Sequence, residues 1–285
     1  MPEYKEVQNF QINLLKFFTF VKLKKMLFLT LKCVYEFVNR RDVNRHKEMN
    51  IFELKNISKW SSDLFHLIYP NTCLICENEL PPSNKFICSF CHNDFNYTYF
   101  ERYTEPTPLD QLFWGRVSVF STYSYLFFEK AKSTQPILHA LKYGDKPEIG
   151  VEMGKLIGEQ VKQLSSFQGV EALVPVPIHP KKEFIRGYNQ SEKLADGIAE
   201  ILNLPVLINF IERIKNSDSQ TKKGRFKRWD NVENKFISKN TTNFKHIAIV
   251  DDVITTGATL EVIVRILQEN NPELRISIIS LALTK

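Results

Sequence analysis

Apolar residues along this chain change period several times, and the changes mark out its elements. Between 50 and 72, Phe52, Leu54, Ile57, Trp60, Leu64 and Phe65 recur at helical spacing and predict a short amphipathic helix. Residues 92–116 are polar and aromatic with Pro106 and Pro108, the composition of a linker. Residues 117–125 alternate as a strand does. Helical spacing returns at 134–142 and 149–164, interrupted by the breaker Gly144-Asp145-Lys146-Pro147. From there the rhythm is strand, loop, helix. A short apolar run at 172–176 precedes a helix at 191–202, with Leu194, Ile198, Ala199 and Leu202 on one face. A second short strand is expected at 205–208, a buried strand at 246–250, a helix at 258–269 and a β-branched strand at 274–281. Residues 212–231 are polar and basic without a period. This alternation predicts an α/β fold whose open, mostly parallel sheet is flanked by helices.

Composition changes this outline only where the charge is located. With 43% hydrophobic and 25% charged residues, the 285-residue chain is ordinary globular protein rather than a disordered one. A net charge of +6 would suggest a polyanion partner if it were spread over the surface. Residues 1–48, however, hold 10 Lys/Arg against 5 Asp/Glu, so the rest of the chain is near neutral. That segment is also apolar, but Lys16, Lys22, Lys24, Lys25 and Lys32 cut every run well short of the ~20 residues a spanning helix needs. No apolar run ends in a small-residue cleavage site. The expectation is a cytoplasmic protein without stable membrane insertion; an amphipathic helix on a membrane surface is the alternative. Met49 opens a more ordinary pattern, so 1–48 is read as a basic extension outside the native protein and dispensable for its solubility. Residues 49–105 then form an N-terminal helix and cysteine element, and 106–285 the α/β domain.

Four of the five cysteines fall in two knuckles, Cys73-x-x-Cys76 and Cys88-x-x-Cys91. Each turn points two thiolates at one spot, and two turns complete a tetrahedral four-sulfur site. Soft ligands in that geometry point to Zn²⁺, with an iron–sulfur cluster as the rival. Four thiolates leave no open position, so the metal is expected to be structural. His92 abuts the second knuckle and is read as a solvated neighbour. Cys33 has no partner nearby and is a bystander.

The most informative stretch is Ile247-Ala-Ile-Val-Asp251-Asp252-Val253-Ile254-Thr255-Thr256-Gly257-Ala258-Thr259. An apolar strand runs into two carboxylates, then into a hydroxyl-rich turn that opens a helix. The turn offers backbone N–H groups and the hydroxyls of Thr255, Thr256 and Thr259 to an anion at a helix N-terminus. Gly257 permits close backbone approach. Paired carboxylates accept hydrogen bonds from vicinal hydroxyls, as on a ribose. Each half alone has a bland explanation, a helix cap or a solvated strand end; their fusion is harder to dismiss.

This stretch resembles the phosphoribosyl-diphosphate (PRPP) signature of the type I phosphoribosyltransferases. Val174-Pro-Val-Pro177-Ile-His179-Pro180-Lys181-Lys182, continuing to Arg186-Gly187-Tyr188-Asn189-Gln190, sharpens the likeness, as does His139-Ala-Leu-Lys142-Tyr143. Together they resemble the ComF-like competence-protein branch of that superfamily, which carries an N-terminal four-cysteine zinc element. The likeness covers roughly residues 65–285, with Tyr188 where Phe is commoner.

The resemblance implies a Mg²⁺-dependent transferase acting at C1 of PRPP, a glycosyltransferase of nucleotide or nucleoside metabolism. Asp251 and Asp252 would hold the ribose hydroxyls, and Thr255, Thr256, Gly257, Ala258 and Thr259 the 5′-phosphate. Lys181, Lys182 and Arg186 sit in a loop that suits a diphosphate on chemistry alone, since Arg offers a bidentate fork and Lys a mobile charge; a solvated basic loop is the alternative. Lys222, Arg225 and Arg228 belong to the stretch resembling the flexible loop that closes over PRPP. The rival reading of that stretch is a disordered basic loop that contacts nucleic-acid phosphates, with Phe226 and Trp229 stacking on bases. The expected partner is therefore PRPP, with single-stranded DNA or a competence helicase beside it and homo-oligomerisation open. The rival reading is a non-catalytic DNA-binding accessory protein for DNA uptake. The phosphoribosyl acceptor is not legible.

Overall fold

Strands and helices alternate along the chain and gather into one parallel sheet. A computed structural model describes residues 70–81, 85–129, 133–144, 146–213, 236–238 and 243–284. In chain order the elements are α1 (Ser89–Asn93), α2 (Pro108–Gln111), β1 (Ser121–Phe128), α3 (Thr134–Tyr143), α4 (Glu148–Val161), β2 (Ala172–Pro175), α5 (Pro180–Arg186), α6 (Gln190–Leu202), β3 (Ile211–Arg213), β4 (Phe236–Ser238), β5 (His246–Ile254), α7 (Ala258–Asn270) and β6 (Arg275–Thr284). The 1–48 extension, residues 49–69 of the expected N-terminal helix, and Lys222, Arg225 and Arg228 lie outside the described residues.

The sheet runs β1-β6-β5-β2, and every neighbouring pair is parallel. β6 and the first half of β5 are buried nearly throughout, which is why they read as unbroken apolar runs rather than as alternation. β3 and β4 form a separate antiparallel pair. Both edges of the sheet are partly covered. At β1, Tyr97 bridges Leu126 in antiparallel sense, with the Thr98 N–H donating to the Tyr125 carbonyl and the Phe127 N–H to that of Asn96. At β2, Val206 bridges Leu173. Such covering removes free strand edges that would otherwise template aggregation.

Helices α4 and α6 approach so closely that only glycine fits at the crossing. A Cβ on Gly154 would strike the Leu194 carbonyl, and one on Gly197 would strike that of Val151. Tyr69–Lys285 forms one compact unit, so the cysteine element packs with the sheet rather than standing off it. Leu74, Ile75, Phe86 and Ile87 lie against the main core. Among the described residues, no helix is long and apolar enough to cross a membrane.

Several expected boundaries shift for identifiable reasons. The stretch 92–116 is not a linker: Phe95, Phe100, Leu109 and Phe113 are buried in the main core. Its prolines serve a helix start, because Thr107 and Asp110 form a capping box with Pro108 at the first turn. The strand expected at 117–125 begins later, at Ser121, because residues before it are drawn toward α7: the Gln268 side-chain amide donates to the Ser118 carbonyl at 2.7 Å. The strand expected at 205–208 amounts to the single bridge at Val206.

Candidate functional site

The end of β5 is where the chain's chemistry concentrates. The strand does not stop at Val250 but continues through both carboxylates to Ile254, pairing Asp251 with Ser280 on β6. Successive strand residues point to opposite faces, so the two carboxylates reach different helices. Asp251 Oδ1 accepts from Ser191 Oγ at 3.3 Å, at the start of α6, and from the Asp252 N–H at 2.8 Å. Asp252 Oδ2 lies 3.0 Å from Lys142 Nζ, in the last turn of α3. Burial, together with the Asp252 charge beside it, pushes the Asp251 carboxyl up to about 7; the two hydrogen bonds and Lys142 offset this only in part.

Beyond Ile254 the chain turns into α7. Gly257 caps that helix with φ of 71°, a conformation side chains disfavour. A Cβ there would also press on the Phe113 ring at 3.2 Å. Thr255, Thr256 and Thr259 are exposed, Ala258 is half-buried and Gly257 is buried. The first amides of α7 lack intrahelical partners, as at any helix start, and share this surface with the hydroxyls. Arg116 holds the turn from behind: Nη1 donates to the Thr256 carbonyl at 3.0 Å and the Leu112 carbonyl at 2.8 Å, while Nη2 pairs with Glu261 at 2.6 Å.

The stretch 177–190 is not simply a loop. His179 caps α5 by accepting from the Lys181 N–H, Pro180 fills its first position, and Gly187 ends it at φ of 78°. Lys181 and Lys182 are exposed on this helix. Arg186 instead turns inward, donating to Gln190 Oε1 at 2.8 Å with its guanidinium 5.5 Å from the Tyr143 ring centre. The following residues tie the region to the β5 end. Tyr188 donates to the Leu141 carbonyl at 2.7 Å, and Asn189 donates to the Val176 carbonyl while capping α6. The ends of β2, β5 and α3 are thereby stitched together around Asp251 and Asp252.

The four cysteines meet as their spacing predicts. Cys73, Cys76, Cys88 and Cys91 place all their sulfurs within 4.8 Å of one another. Cys76 and Cys88 stand 3.7 Å apart; a tetrahedral centre with metal–sulfur bonds of ~2.3 Å requires sulfur–sulfur edges near ~3.8 Å. Burial raises the Cys73 thiol, but N–H groups of Cys76, Cys88 and Ile75 outweigh it and hold the thiol at about 6. Burial and the three neighbouring sulfurs push Cys91 far up. Such a cluster is adapted to a cation that removes the competition among its thiolates. His92 lies outside it and is half-buried rather than solvated: its ring packs on Phe95, and Tyr97 donates to its carbonyl at 2.9 Å.

A phosphoribosyl transferase domain model matches residues 189–285, from the Asn189 cap through β5, the turn and α7 to the chain end. Among curated proteins, the chain is 37% identical over 102 residues to competence protein F of Haemophilus influenzae, covering 35% of this chain and 44% of that protein. It is 24% identical over 224 residues to the DNA utilization protein YhgH of Escherichia coli K12, covering 72% of this chain and 93% of that one. Competence protein ComFC of Streptococcus pneumoniae is 31% identical over 113 residues, covering 40% of this chain and 47% of that one. The chain is similar to the ComF-like competence proteins and has the phosphoribosyltransferase fold.

Three residues that shape the site of this ComF-like chain carry no local signal for their roles. Ser191 and Lys142 reach the carboxylates from helices, and Arg116 reaches the turn across 140 positions of sequence. Lys142 stands in a motif that resembles the family, but nothing in its neighbours names Asp252 as its partner. Arg116→Ala should lower the stability of the ComF-like protein by about 1–2 kcal/mol, since hydrogen bonds to charged groups contribute ~1.5–3 kcal/mol before solvent screening. In hydrogen exchange the hydrogen-bonded amides of residues 261–264, in the first turns of α7, should lose protection ahead of β5. An unchanged exchange pattern there would refute the bracing role.

Proposed function

We propose that this ComF-like protein binds PRPP with Mg²⁺ at the end of β5 and acts as a phosphoribosyltransferase. The observation that carries the reading is the direct passage from Asp251 and Asp252 into a turn whose Thr hydroxyls are exposed beside free helix amides. Asp251 and Asp252 accept from the ribose hydroxyls, while Thr255, Thr256, Gly257, Ala258 and Thr259 cradle the 5′-phosphate. The donor set of Asp oxygens suits a hard cation, and bound Mg²⁺ supplies charge neutralisation for the departing diphosphate. Lys181, Lys182 and Arg186 are assigned to that diphosphate, a reading supported by their position on the segment leaving the adjacent strand β2. Lys222, Arg225 and Arg228 are assigned to the closing loop on sequence alone. No nucleophilic side chain is required, because positioning and charge stabilisation do the chemistry.

The cysteine cluster is assigned to one structural Zn²⁺. Four thiolates supply a full set of tetrahedral ligands and leave no position for a substrate.

Calorimetry with PRPP and Mg²⁺ tests the first reading, and Thr256→Val localises it. The variant should weaken binding by roughly tenfold or more, because a hydrogen bond to a charged group is worth ~1.5–3 kcal/mol. Absence of PRPP binding to the native protein would overturn the reading. The relatives' names, competence and DNA utilization, favour a second role in DNA uptake. Titration with single-stranded DNA at two salt concentrations separates the two. Binding that depends on Lys222, Arg225 and Arg228, with a steep salt slope, would locate it on that basic stretch.

A further inference from the structure

A cavity of about 210 Å³ lies at the β1 edge of the sheet, and none of its lining residues belongs to the β5 site. Its walls are chiefly tyrosines. Tyr123 and Tyr125 share one face of β1, and the antiparallel bridge between Tyr97 and Leu126 brings Tyr97 and Tyr99 beside them. A leucine would fill such buried positions without a hydroxyl to satisfy; here four phenols converge instead. The Tyr97 ring meets Tyr99 at 5.6 Å and 50°, and Tyr125 at 5.2 Å and 76°. Rings at these angles form the walls of a box, whereas a flat base would need the parallel faces of a slot.

The more buried charge of the box is an acid. Glu101 lines it with a side chain only 25% exposed, while Arg102, which also lines it, is 73% exposed and holds its Nε 3.8 Å from the Glu101 carboxylate at the rim. Burial and the Glu101 charge both push the Tyr123 phenol well up, so that phenol stays neutral beside the carboxylate. The rings also already show their preference: the Arg102 guanidinium sits 4.4 Å from the centre of the Tyr99 ring. Tyrosine faces attract cations through their quadrupole, most strongly where water is excluded.

We propose that this box is a binding site for a compact organic cation of the quaternary or methylated ammonium class, held by the tyrosine faces and the Glu101 carboxylate. The site is distinct from the one proposed for PRPP, since no residue at the end of β5 lines it.

Choline is the probe, titrated into the full chain at constant ionic strength with 3,3-dimethylbutan-1-ol as its neutral isostere. Tyrosine fluorescence or calorimetry should show saturable choline binding, with the isostere at least about tenfold weaker because it lacks the charge the rings and carboxylate recognise. Glu101→Gln should weaken choline by about tenfold, and Tyr99→Ala, at a partly exposed position, should do so without threatening the core. Tyr125→Phe keeps the ring and should retain binding. The response to PRPP and Mg²⁺ should be the same in Glu101→Gln as in the native protein. No choline binding, equal binding of the isostere, or a preference for guanosine that depends on Glu101 would each overturn the proposal.

Discussion

Asp251→Asn should make the ligand-free protein more stable at pH 8 while abolishing its stabilisation by PRPP and Mg²⁺. The Asp251 carboxyl is held at about 7 in the folded chain, by burial first and then by the Asp252 charge; unfolded, it returns to about 3.9. Because the folded value is the higher one, the group favours folding most below pH ~4 and loses that contribution as pH rises through ~7. At pH 8 the ionised group therefore destabilises the fold, by on the order of 2–4 kcal/mol. Asparagine removes that charge yet keeps an oxygen to accept from Ser191 Oγ and the Asp252 N–H. Asp252 keeps its pairing with Lys142.

The melting temperature should therefore rise by roughly 4–16 °C at pH 8, taking ~2–4 °C per kcal/mol for a domain of this size. The gain should shrink as pH falls and vanish near pH 4. PRPP at about a hundred times its dissociation constant should add ~2.7 kcal/mol to the native protein by mass action and little to the variant. A variant that melts lower at pH 8 would show that the carboxylate is not strained in the free protein. A variant that keeps the PRPP shift would remove Asp251 from the ligand site. Opposite signs for stability and ligand response mark a residue retained for function at the expense of the fold.

What the sequence made legible follows from how local each signal is. The β5 strand, the Asp pair, the Gly257 turn and α7 are contiguous, so residue type and spacing alone placed them in order. The cysteine knuckles are local in the same way, and their pairwise convergence follows from two turns of fixed geometry. The helices at 134–142, 149–164 and 191–202 appear within a few residues of expectation because their apolar periods are long and their breakers strong. The partners of the site were illegible for the converse reason. Lys142 meets Asp252 and Arg116 meets Thr256 only once the sheet has brought distant segments together. The stretch 92–116 misled because its aromatic residues have no single period: Phe95, Phe100, Leu109 and Phe113 enter the core from a coil that winds along the edge of the sheet. The carboxylates themselves disguised the end of β5, since charged residues ordinarily mark a strand's exit into water. Here they extend the strand because Ser191 and Lys142 receive them.

Cys76→Ser with Cys88→Ser should release the metal and unfold the cysteine element while the sheet stays folded. Among the described residues, only Cys73, Leu80 and Cys91 form the element's own buried cluster, too little apolar surface to offset the ordering of its turns. The remaining order must come from the metal, whose binding to such sites is folding free energy of ~10–16 kcal/mol in small peptides. Some of that will persist through Leu74, Ile75, Phe86 and Ile87, which lean on the main core. Among the described residues, the main core contains no cysteine, so the larger body has no comparable need of the ion. Elemental analysis should give about one zinc per native chain and none in the double variant. Limited proteolysis should then cut the variant between residues 70 and 92, with 108–202 remaining protected. Removal of metal from the native protein by a strong chelator should reproduce that cleavage pattern. An intact, protease-resistant element without metal would mean that packing against the core suffices, and that the four sulfurs converge without a structural ion.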